Sequence, residues 1–195
     1  GLAYPSFMSR SEVKAFVKDY EADGRVWPRD PDGAAHYPPL DRHRSPQEAT
    51  AILSSGRQHA WRLDMAKALE TADSTLTWSE DGSGTKEIIK ADPAAWGDVV
   101  LSRSDAPSSY HLSAVIDDAT QGITHVVRGM DLYHATSLHR LIQELLGLPS
   151  PQYHHHRLIL DEAGKKLSKS DGSIGLHILR QQGVKASDIR GLLGI

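Results

Sequence analysis

The chain contains no cysteine, and this absence excludes several kinds of site at once. It rules out disulfides, cysteine-ligated zinc or iron–sulfur centres and a thiol nucleophile, and it fits a reducing cytoplasm. The chain also lacks any apolar run near the roughly 18 residues that a membrane helix needs, so we expect no membrane partner. It begins with Gly1 rather than Met and shows no secretory signal pattern, so we expect it to start inside a longer protein.

An excess of charge of one sign is missing as well. Lys and Arg total 22 against 25 Asp and Glu, which leaves a formal net charge of −3. This balance excludes a strongly basic nucleic-acid coat protein but is compatible with a local basic patch. With 195 residues the chain has the length of one ordinary domain, which can bury a core without disulfides.

The first 96 residues combine helices, proline-rich loops and short strands. Ser9 with Glu12 is typical of a capped helix start, and Ser45 followed by Pro46 predicts a second helix. Apolar residues that alternate with polar ones then predict short strands. These strands are expected at Trp61, Leu63 and Met65, at Leu76 and Trp78, at 88–89 and at 99–101.

From residue 97 the pattern changes to an alternation of strand and helix. Residues 123–128 and 157–160 predict β-strands, and the leucine-rich face of 138–146 predicts a core helix between them. A strand, a helix and a strand within about 40 residues form a βαβ unit, whose strands are parallel and whose crossover is right-handed. Two short helices are expected near 176–182 and 187–193.

The chemistry is expected at the carboxyl ends of these parallel strands, where open sheets bind ligands. Arg128 ends the first predicted strand, and the loop 164–172, with three lysines and two serines between glycines, follows the second. Ammonium groups in such a loop can neutralise a departing pyrophosphate. A P-loop is excluded, because Ile159 stands where its first glycine belongs and Lys166 where its Ser or Thr belongs.

The segment Lys166-Leu167-Ser168-Lys169-Ser170 resembles the KMSKS signature loop of class I aminoacyl-tRNA synthetases, in the leucine form of the glutamyl enzymes. Further segments resemble that subfamily in the same order: 1–5, 97–105, Tyr110, 115–118, 122–129 and 155–160. The resemblance covers nearly the whole chain. It implies an α/β fold, the C-terminal half of a Rossmann-like nucleotide-binding fold with an inserted α+β domain of the acceptor-stem type.

The resemblance also implies a division of the chain and a set of site residues. The inserted domain would span 1–96, the second half of the catalytic domain 97–172, and C-terminal helices 173–195. Lys166 and Lys169 would be the catalytic contacts to the ATP phosphates, and Tyr110 and Arg128 would bind glutamate. The ATP site would comprise Lys166, Leu167, Ser168, Lys169, Ser170 and His155. Each role has a structural alternative: Lys169 as an ordinary surface lysine, Arg128 in a strand-end ion pair and Tyr110 as a buried structural residue.

No resident metal is expected. The histidines at 154–156 cannot converge on one ion if they lie on a strand, because neighbouring side chains point to opposite faces. The resemblance implies a zinc site in the insertion of many family members, but the matching positions carry Ser6, Met8, Tyr37 and Asp41. Without a thiolate at these positions we expect no zinc. Mg²⁺ would enter only with ATP, as part of the substrate.

Within the glutamyl group, the chain resembles the truncated enzymes that attach glutamate to queuosine in the anticodon loop of tRNA(Asp), because it ends 25 residues after Ser170. The resemblance implies a monomeric cytoplasmic ligase that uses glutamate, ATP and tRNA(Asp). No H-x-G-H motif occurs, so we expect the chain alone to be inactive.

Three alternative interpretations remain open. The first is a fragment of an ordinary glutamyl-tRNA synthetase, and the second is a non-catalytic RNA- or nucleotide-binding module derived from a synthetase. The third is a nucleotidyl transferase of the same superfamily. One group of basic residues either contacts RNA phosphates or lies in solvated loops: Arg42, His43, Arg44, Arg57 and Arg62.

Overall fold

The computed structural model of the chain describes residues 1–73, 75–161, 163–167 and 175–194. The strands in these ranges are β1 (Ala3–Ser6), β2 (Ala60–Leu63), β3 (Thr77–Glu80), β4 (Glu87–Lys90), β5 (Val100–Arg103), β6 (His125–Gly129) and β7 (Gln152–His156). The helices are α1 (Arg10–Glu21), α2 (Pro46–Ser54), α3 (Met65–Thr71), α4 (Tyr110–Thr120), α5 (Ala135–Leu146), α6 (Leu176–Gln181) and α7 (Ala186–Leu193). Short 3₁₀ turns lie at Pro93–Trp96 and Met130–Leu132.

The helix starts predicted at Ser9 and Ser45 are confirmed. The Ser9 hydroxyl accepts a hydrogen bond from the Glu12 backbone N–H at 3.2 Å, and the Ser9 backbone N–H donates to the Glu12 carboxylate at 2.6 Å. Ser45 and Glu48 form the same reciprocal pair ahead of α2. Both helices therefore begin where side chains satisfy backbone groups that have no partner inside the helix.

The strands form two sheets, of three strands in the order β1-β2-β5 and of four strands in the order β4-β3-β7-β6. In the second sheet β3, β7 and β6 are parallel, and β4 is an antiparallel edge strand. Helix α5 connects β6 to β7, which confirms the predicted βαβ unit. Both sheets take strands from both sides of residue 96, the predicted boundary between the inserted and catalytic parts.

Two strand predictions are wrong in their limits. Met65 begins α3 instead of extending β2, because the Asp64 side chain accepts a hydrogen bond from the Lys67 backbone N–H and so caps a helix. The second strand of the βαβ unit covers 152–156 instead of 157–160, in register with the whole of β6. The run 157–160 lies beyond the end of β6, and among the described residues it has no parallel neighbour there. Leu160 forms an isolated antiparallel bridge with Lys166.

One hydrophobic core joins the elements on both sides of residue 96. Its buried members are Leu63, Met65, Ala68, Leu76, Trp96, Val115, Ala135, Leu138, Leu141 and Ile142. The leucine-rich face of α5 lies in this core as predicted, although Leu146 at its end is half exposed. Within the described ranges, no helix has the length and apolar character required to cross a bilayer.

Candidate functional site

Three parallel strands bring their carboxyl ends to one edge of the four-stranded sheet. Strand β3 ends at Glu80, β6 reaches this edge with Arg128 and Gly129, and β7 reaches it with His155. Arg128 and His155 are opposite each other in the β6–β7 register. The order β3-β7-β6 therefore brings the side chains of Glu80, His155 and Arg128 together at this edge, although the register places Glu80 opposite Tyr153.

The guanidinium of Arg128 is held by side chains of β7 and α5. Its Nε–H donates to His155 Nε2 at 3.0 Å, Nη1 lies 3.1 Å from His139 Nδ1, and Nη2 donates to the Thr136 hydroxyl at 2.7 Å. The group lies 5.2 Å from the centre of the Tyr153 ring. An arginine has five N–H donors, so two of them, one on each terminal nitrogen, have no partner among the described residues.

Glu80 holds His155 from the opposite side. One Glu80 oxygen lies 2.5 Å from His155 Nδ1, and the other accepts the backbone N–H groups of His155 at 2.9 Å and Gly82 at 3.0 Å. Burial raises the pKa of Glu80, but these hydrogen bonds outweigh it and hold the pKa below its ordinary value. Burial lowers the pKa of His155 in spite of Glu80. The pair is therefore an ionised carboxylate and a neutral imidazole.

A second histidine pair lies on the other side of Arg128. His139 Nε2 lies 3.0 Å from His111 Nδ1, while His139 Nδ1 faces Arg128. Burial, followed by the charge of Arg128, lowers the pKa of His139 to about 3. Burial also lowers the pKa of His111. Both rings are therefore neutral at pH 7, and His139 carries its proton on Nε2.

Tyr110 lies close to this network. It is the first residue of α4, after the N-cap Ser109, and it is 55% exposed. Its ring centre is 6.1 Å from that of His139, the residue that also contacts Arg128. The structure thus brings the two residues expected to bind glutamate to the same histidine, and their binding role stays a prediction.

Lys166, at the start of the signature loop, forms an ion pair with a residue just after the end of β6. Lys166 Nζ lies 2.5 Å from the Asp131 carboxylate, two residues after Gly129, and it lowers the pKa of that carboxylate. The Leu167 backbone N–H donates to the Ile159 carbonyl at 3.0 Å. Lys166 and Leu167 therefore lie at the same edge as Arg128. Ser168, Lys169 and Ser170, also expected to bind ATP, lie outside the described residues.

Glu80, Thr136 and His139 are site residues that the sequence reasoning missed. On α5, Thr136, His139 and Gln143 recur at the helical spacing i, i+3 and i+7, and each is at most 2% exposed. Polar residues at helical spacing beside the leucine face were therefore a sequence pattern that indicates a buried polar site on this helix. Glu80 was hidden because its strand was assigned to the insertion.

The neighbouring histidines on β7 have separate partners. His154 Nδ1 lies 2.8 Å from the Asp81 carboxylate, His155 pairs with Glu80, and His156 Nδ1 lies 3.0 Å from the Arg157 carbonyl. His155 was expected to line an ATP pocket, but its ring is buried between Glu80 and Arg128. In the described part of the chain, no three His, Asp or Glu side chains form a cluster able to hold a metal ion.

The four positions where the resemblance implies zinc do not fit that metal. The Asp41 carboxylate accepts hydrogen bonds from the Phe7 backbone N–H at 2.7 Å, from the Tyr37 hydroxyl and from Arg44 Nε at 2.7 Å. The Ser6 hydroxyl donates to a backbone carbonyl at 3.0 Å. The oxygens that a metal would need are already bonded within the chain, and zinc sites of this kind use thiolates and imidazoles.

The four arginines considered for RNA binding all have partners within the chain. Arg42 pairs with Asp98 at 3.2 Å, Arg44 with Asp41 at 2.7 Å and Arg57 with Glu12 at 3.2 Å. Arg62 donates to the Asp98 carbonyl at 2.7 Å and stacks on the Tyr37 ring. These contacts give Arg42, Arg44 and Arg62 structural roles in the first part of the chain, whereas Arg57–Glu12 is an exposed surface pair of the kind that contributes little to stability.

Comparison with known families matches residues 1–192 to the family described as tRNA synthetases class I (E and Q), catalytic domain. The chain is 40% identical over 200 residues to the Glutamyl-Q tRNA(Asp) synthetase of Rhodobacter capsulatus, covering 100% of this chain and 68% of that protein. It is 38% identical to the Glutamyl-Q tRNA(Asp) synthetase of Leptothrix cholodnii, covering 89% and 53%. It is 32% identical to the Glutamate--tRNA ligase of Prochlorococcus marinus, covering 100% and 39%.

Among solved structures, the chain is similar to the glutamate tRNA ligase from Elizabethkingia meningosepticum in complex with its amino acid. The TM-score is 0.64 at 27% identity, over 88% of this chain and 32% of that one. The α/β fold of the class I synthetase type, expected from the resemblance, is therefore confirmed. The chain spans about a third to two thirds of the length of these relatives.

Proposed function

The chain belongs to the tRNA synthetases of class I (E and Q), and from this membership we propose that the full-length protein activates glutamate with ATP and transfers the glutamyl group to an RNA. In the first step a glutamate carboxylate oxygen bonds to the α-phosphorus of ATP and pyrophosphate leaves. In the second step an RNA hydroxyl bonds to the carbonyl carbon and AMP leaves. The bound Mg²⁺ belongs to the ATP substrate.

The observation that carries this proposal is the environment of Arg128. Its three described partners, His155, His139 and Thr136, are all neutral acceptors, and in the described ranges no carboxylate forms an ion pair with it. A strand-end ion pair, the structural alternative for this residue, is therefore not what holds it. A half-buried guanidinium with two N–H groups to spare suits the carboxylate of a substrate, since this pair forms short, charge-assisted hydrogen bonds.

The loop lysines are proposed as the phosphate contacts. Lys166 reaches the carboxyl edge and pairs there with Asp131, two residues after the strand that carries Arg128. Both partners of this ion pair are largely exposed, so the pair contributes little to stability and can give way to a phosphate. We assign Lys169, from the signature alone, to the charge that develops on pyrophosphate as it leaves.

The proposed acceptor is queuosine in the anticodon loop of tRNA(Asp). Two relatives at 40% and 38% identity are named Glutamyl-Q tRNA(Asp) synthetase, whereas a relative named Glutamate--tRNA ligase is 32% identical. The two higher identities support attachment of glutamate to the cyclopentene diol of queuosine, although a third relative of the Glutamyl-Q name is 31% identical. A cytoplasmic location and a monomeric state are parts of the same proposal.

Helix α1 supplies a surface for the RNA backbone. Arg10, Lys14 and Lys18 recur every four residues on one exposed face of α1, and they line a cavity of about 800 Å³. Unlike the paired arginines above, they have no partner among the described residues. Because RNA phosphates bind to exposed cations, we propose this face as a contact for the tRNA.

The test uses the full-length protein, radiolabelled glutamate, ATP, and tRNA(Asp) that either carries or lacks queuosine. The proposal predicts label only on the modified tRNA, and label that survives periodate treatment of the 3′ end. Charging of unmodified tRNA(Glu) at its 3′ adenosine would instead identify an ordinary glutamate–tRNA ligase. Binding of tRNA without any labelling would identify a non-catalytic module.

A further inference from the structure

Glu80 is a buried carboxylate that the proposed reaction does not use directly. Its oxygens accept hydrogen bonds from His155, from the backbone N–H of Gly82 and, at 3.4 Å, from the Trp78 indole N–H, and it is 7% exposed. A buried carboxylate is costly unless each oxygen is satisfied, and here both are. Among the described residues, His155 links this carboxylate to the substrate crevice, because its other ring nitrogen accepts the Arg128 Nε–H at 3.0 Å.

Arg128 determines which ring nitrogen of His155 carries the proton. A guanidinium stays protonated, so its Nε–H requires an acceptor, and His155 Nε2 can accept only while it carries no proton. The proton of the neutral ring is then on Nδ1 and needs an acceptor of its own. The Glu80 oxygen 2.5 Å away is that acceptor. The other neutral tautomer, or a charged ring, would direct two N–H groups at each other.

We infer that Glu80 and His155 are positioning residues for the substrate carboxylate: Glu80 selects the Nδ1–H tautomer of His155, and His155 then orients the Arg128 guanidinium. This inference rests on the proposed function of Arg128. It extends the site to β3, a strand that the sequence places in the insertion. Thr136 and His139 of α5 hold the terminal nitrogens of the same guanidinium.

The change Glu80→Gln tests the inference with almost no change in shape. The amide oxygen can face either the two backbone N–H groups or His155 Nδ1, but not both. In the first orientation the amide N–H₂ opposes Nδ1–H and favours the wrong tautomer. In the second it opposes the N–H groups of His155 and Gly82. In the first case His155 Nε2 no longer accepts the Arg128 Nε–H. In the second case the lost backbone hydrogen bonds displace His155, and with it the acceptor of Arg128.

We expect Glu80→Gln in the full-length protein to raise the KM for glutamate by about tenfold to 100-fold, as misplacement of a binding group does. The KM for ATP should stay within about twofold. The matched control is Asp81→Asn, the same change in the neighbouring carboxylate–histidine pair with His154. In a His155→Ala background, Glu80→Gln should have no further effect on the KM for glutamate. Equal changes in both KM values, or an Asp81→Asn effect as large as that of Glu80→Gln, would overturn the inference.

A second readout needs no substrate. In protein labelled with ¹⁵N-histidine, we expect one buried histidine to show the Nδ1–H tautomer. Glu80→Gln should either abolish that signal or, where the amide oxygen still faces Nδ1, shift the backbone N–H signal of His155, while the folded spectrum persists. A His155 ring protonated on Nε2 in the unmodified protein would refute the positioning role of Glu80 and His155. Absence of glutamate-dependent activity in the unmodified protein would refute the proposed function instead, so the two failures are distinguishable.

Discussion

At the scale of single residues, Arg128 gives the site its chemical character. A charge removed from water is costly when no opposite charge accompanies it, and the neutral partners of Arg128 satisfy its geometry without neutralising it. We propose that the side-chain carboxylate of glutamate supplies the missing charge, which the neutral side-chain amide of glutamine does not. The site is therefore better suited to an acidic amino acid than to its amide.

Replacement of this arginine should affect one substrate far more than the other. In Arg128→Leu, the substrate carboxylate has no charged partner, which should weaken glutamate binding by about 2–5 kcal/mol. The KM values for glutamate and ATP measure the effect in pyrophosphate exchange by the full-length protein. Parallel losses for both substrates would point to a folding defect and contradict the assignment.

Lys169 lies outside the described residues, so its prediction depends on the signature alone. Lys169→Ala should reduce glutamate-dependent pyrophosphate exchange by about 10²–10³, the usual effect of removing one preorganised group at a developing charge. Lys165→Ala in the same loop is the matched control. Exchange within about threefold of the unmodified protein would remove Lys169 from the reaction.

At the scale of secondary-structure elements, α5 shows what could be predicted and what could not. The spacing of Leu138, Leu141 and Ile142 identified the core face, because burial of apolar residues follows the helical period. The polar stripe of Thr136 and His139 was missed, because its partner Arg128 comes from β6 and no local pattern reveals that contact. Strand β7 was displaced by five residues, since its histidines carry no strand signal of their own.

The buried face of α5 also predicts a dependence of stability on pH. The pKa of His139 is lowered to about 3 in the folded protein, against about 6.5 when unfolded, so the unfolded state gains the proton first as pH falls. Stability should therefore decline from about pH 6.5 downward, with His139 alone contributing up to about 1.4 kcal/mol per pH unit. The lowered pKa values of His111 and His155 add to the same decline. The lowered pKa of Glu80 adds to the decline at more acidic pH.

Urea unfolding of the protein between pH 7 and pH 5 measures this slope. His139→Gln, which keeps a polar side chain on α5 but has no titrating ring, should make the slope shallower by the contribution of His139, while His111 and His155 retain theirs. An unchanged slope in that variant would exclude His139 as its source.

The turn between β3 and β4 should be sensitive to a single methyl group. A Cβ added at Gly82 would lie 2.5 Å from the His155 carbonyl and 2.8 Å from a Glu80 oxygen. Gly82→Ala should therefore destabilise the protein by about 1–3 kcal/mol, as overpacking does. Gly191→Ala in α7, where the added Cβ meets open space, is the control and should be neutral or stabilising by about 0.5–1 kcal/mol. Thermal unfolding that ranks the two variants the other way would contradict this packing.

At the scale of the whole molecule, the fold class and the βαβ unit follow from periodicity, but the arrangement of the sheets does not. Strand β3 pairs with β7 although more than 70 residues separate Glu80 from His155, and β5 pairs with β2. Pairings over such distances depend on packing of the complete chain and leave no local signal. For this reason the division at residue 96, placed at the change of sequence pattern and implied by the resemblance, passes through both sheets, and the contribution of Glu80 to the site left no local signal.

We propose that Arg128 and the signature loop form a glutamate-activating site. Glutamate-dependent exchange of labelled pyrophosphate into ATP by the full-length protein tests it most directly, with tRNA both present and absent, and with glutamine as the competing amino acid. Because the Arg128 guanidinium lacks a carboxylate partner, we predict exchange with glutamate at least about 100-fold faster than with glutamine, and loss of that preference in Arg128→Leu. Exchange that favours glutamine, or a preference for glutamate that survives in Arg128→Leu, would contradict the claim.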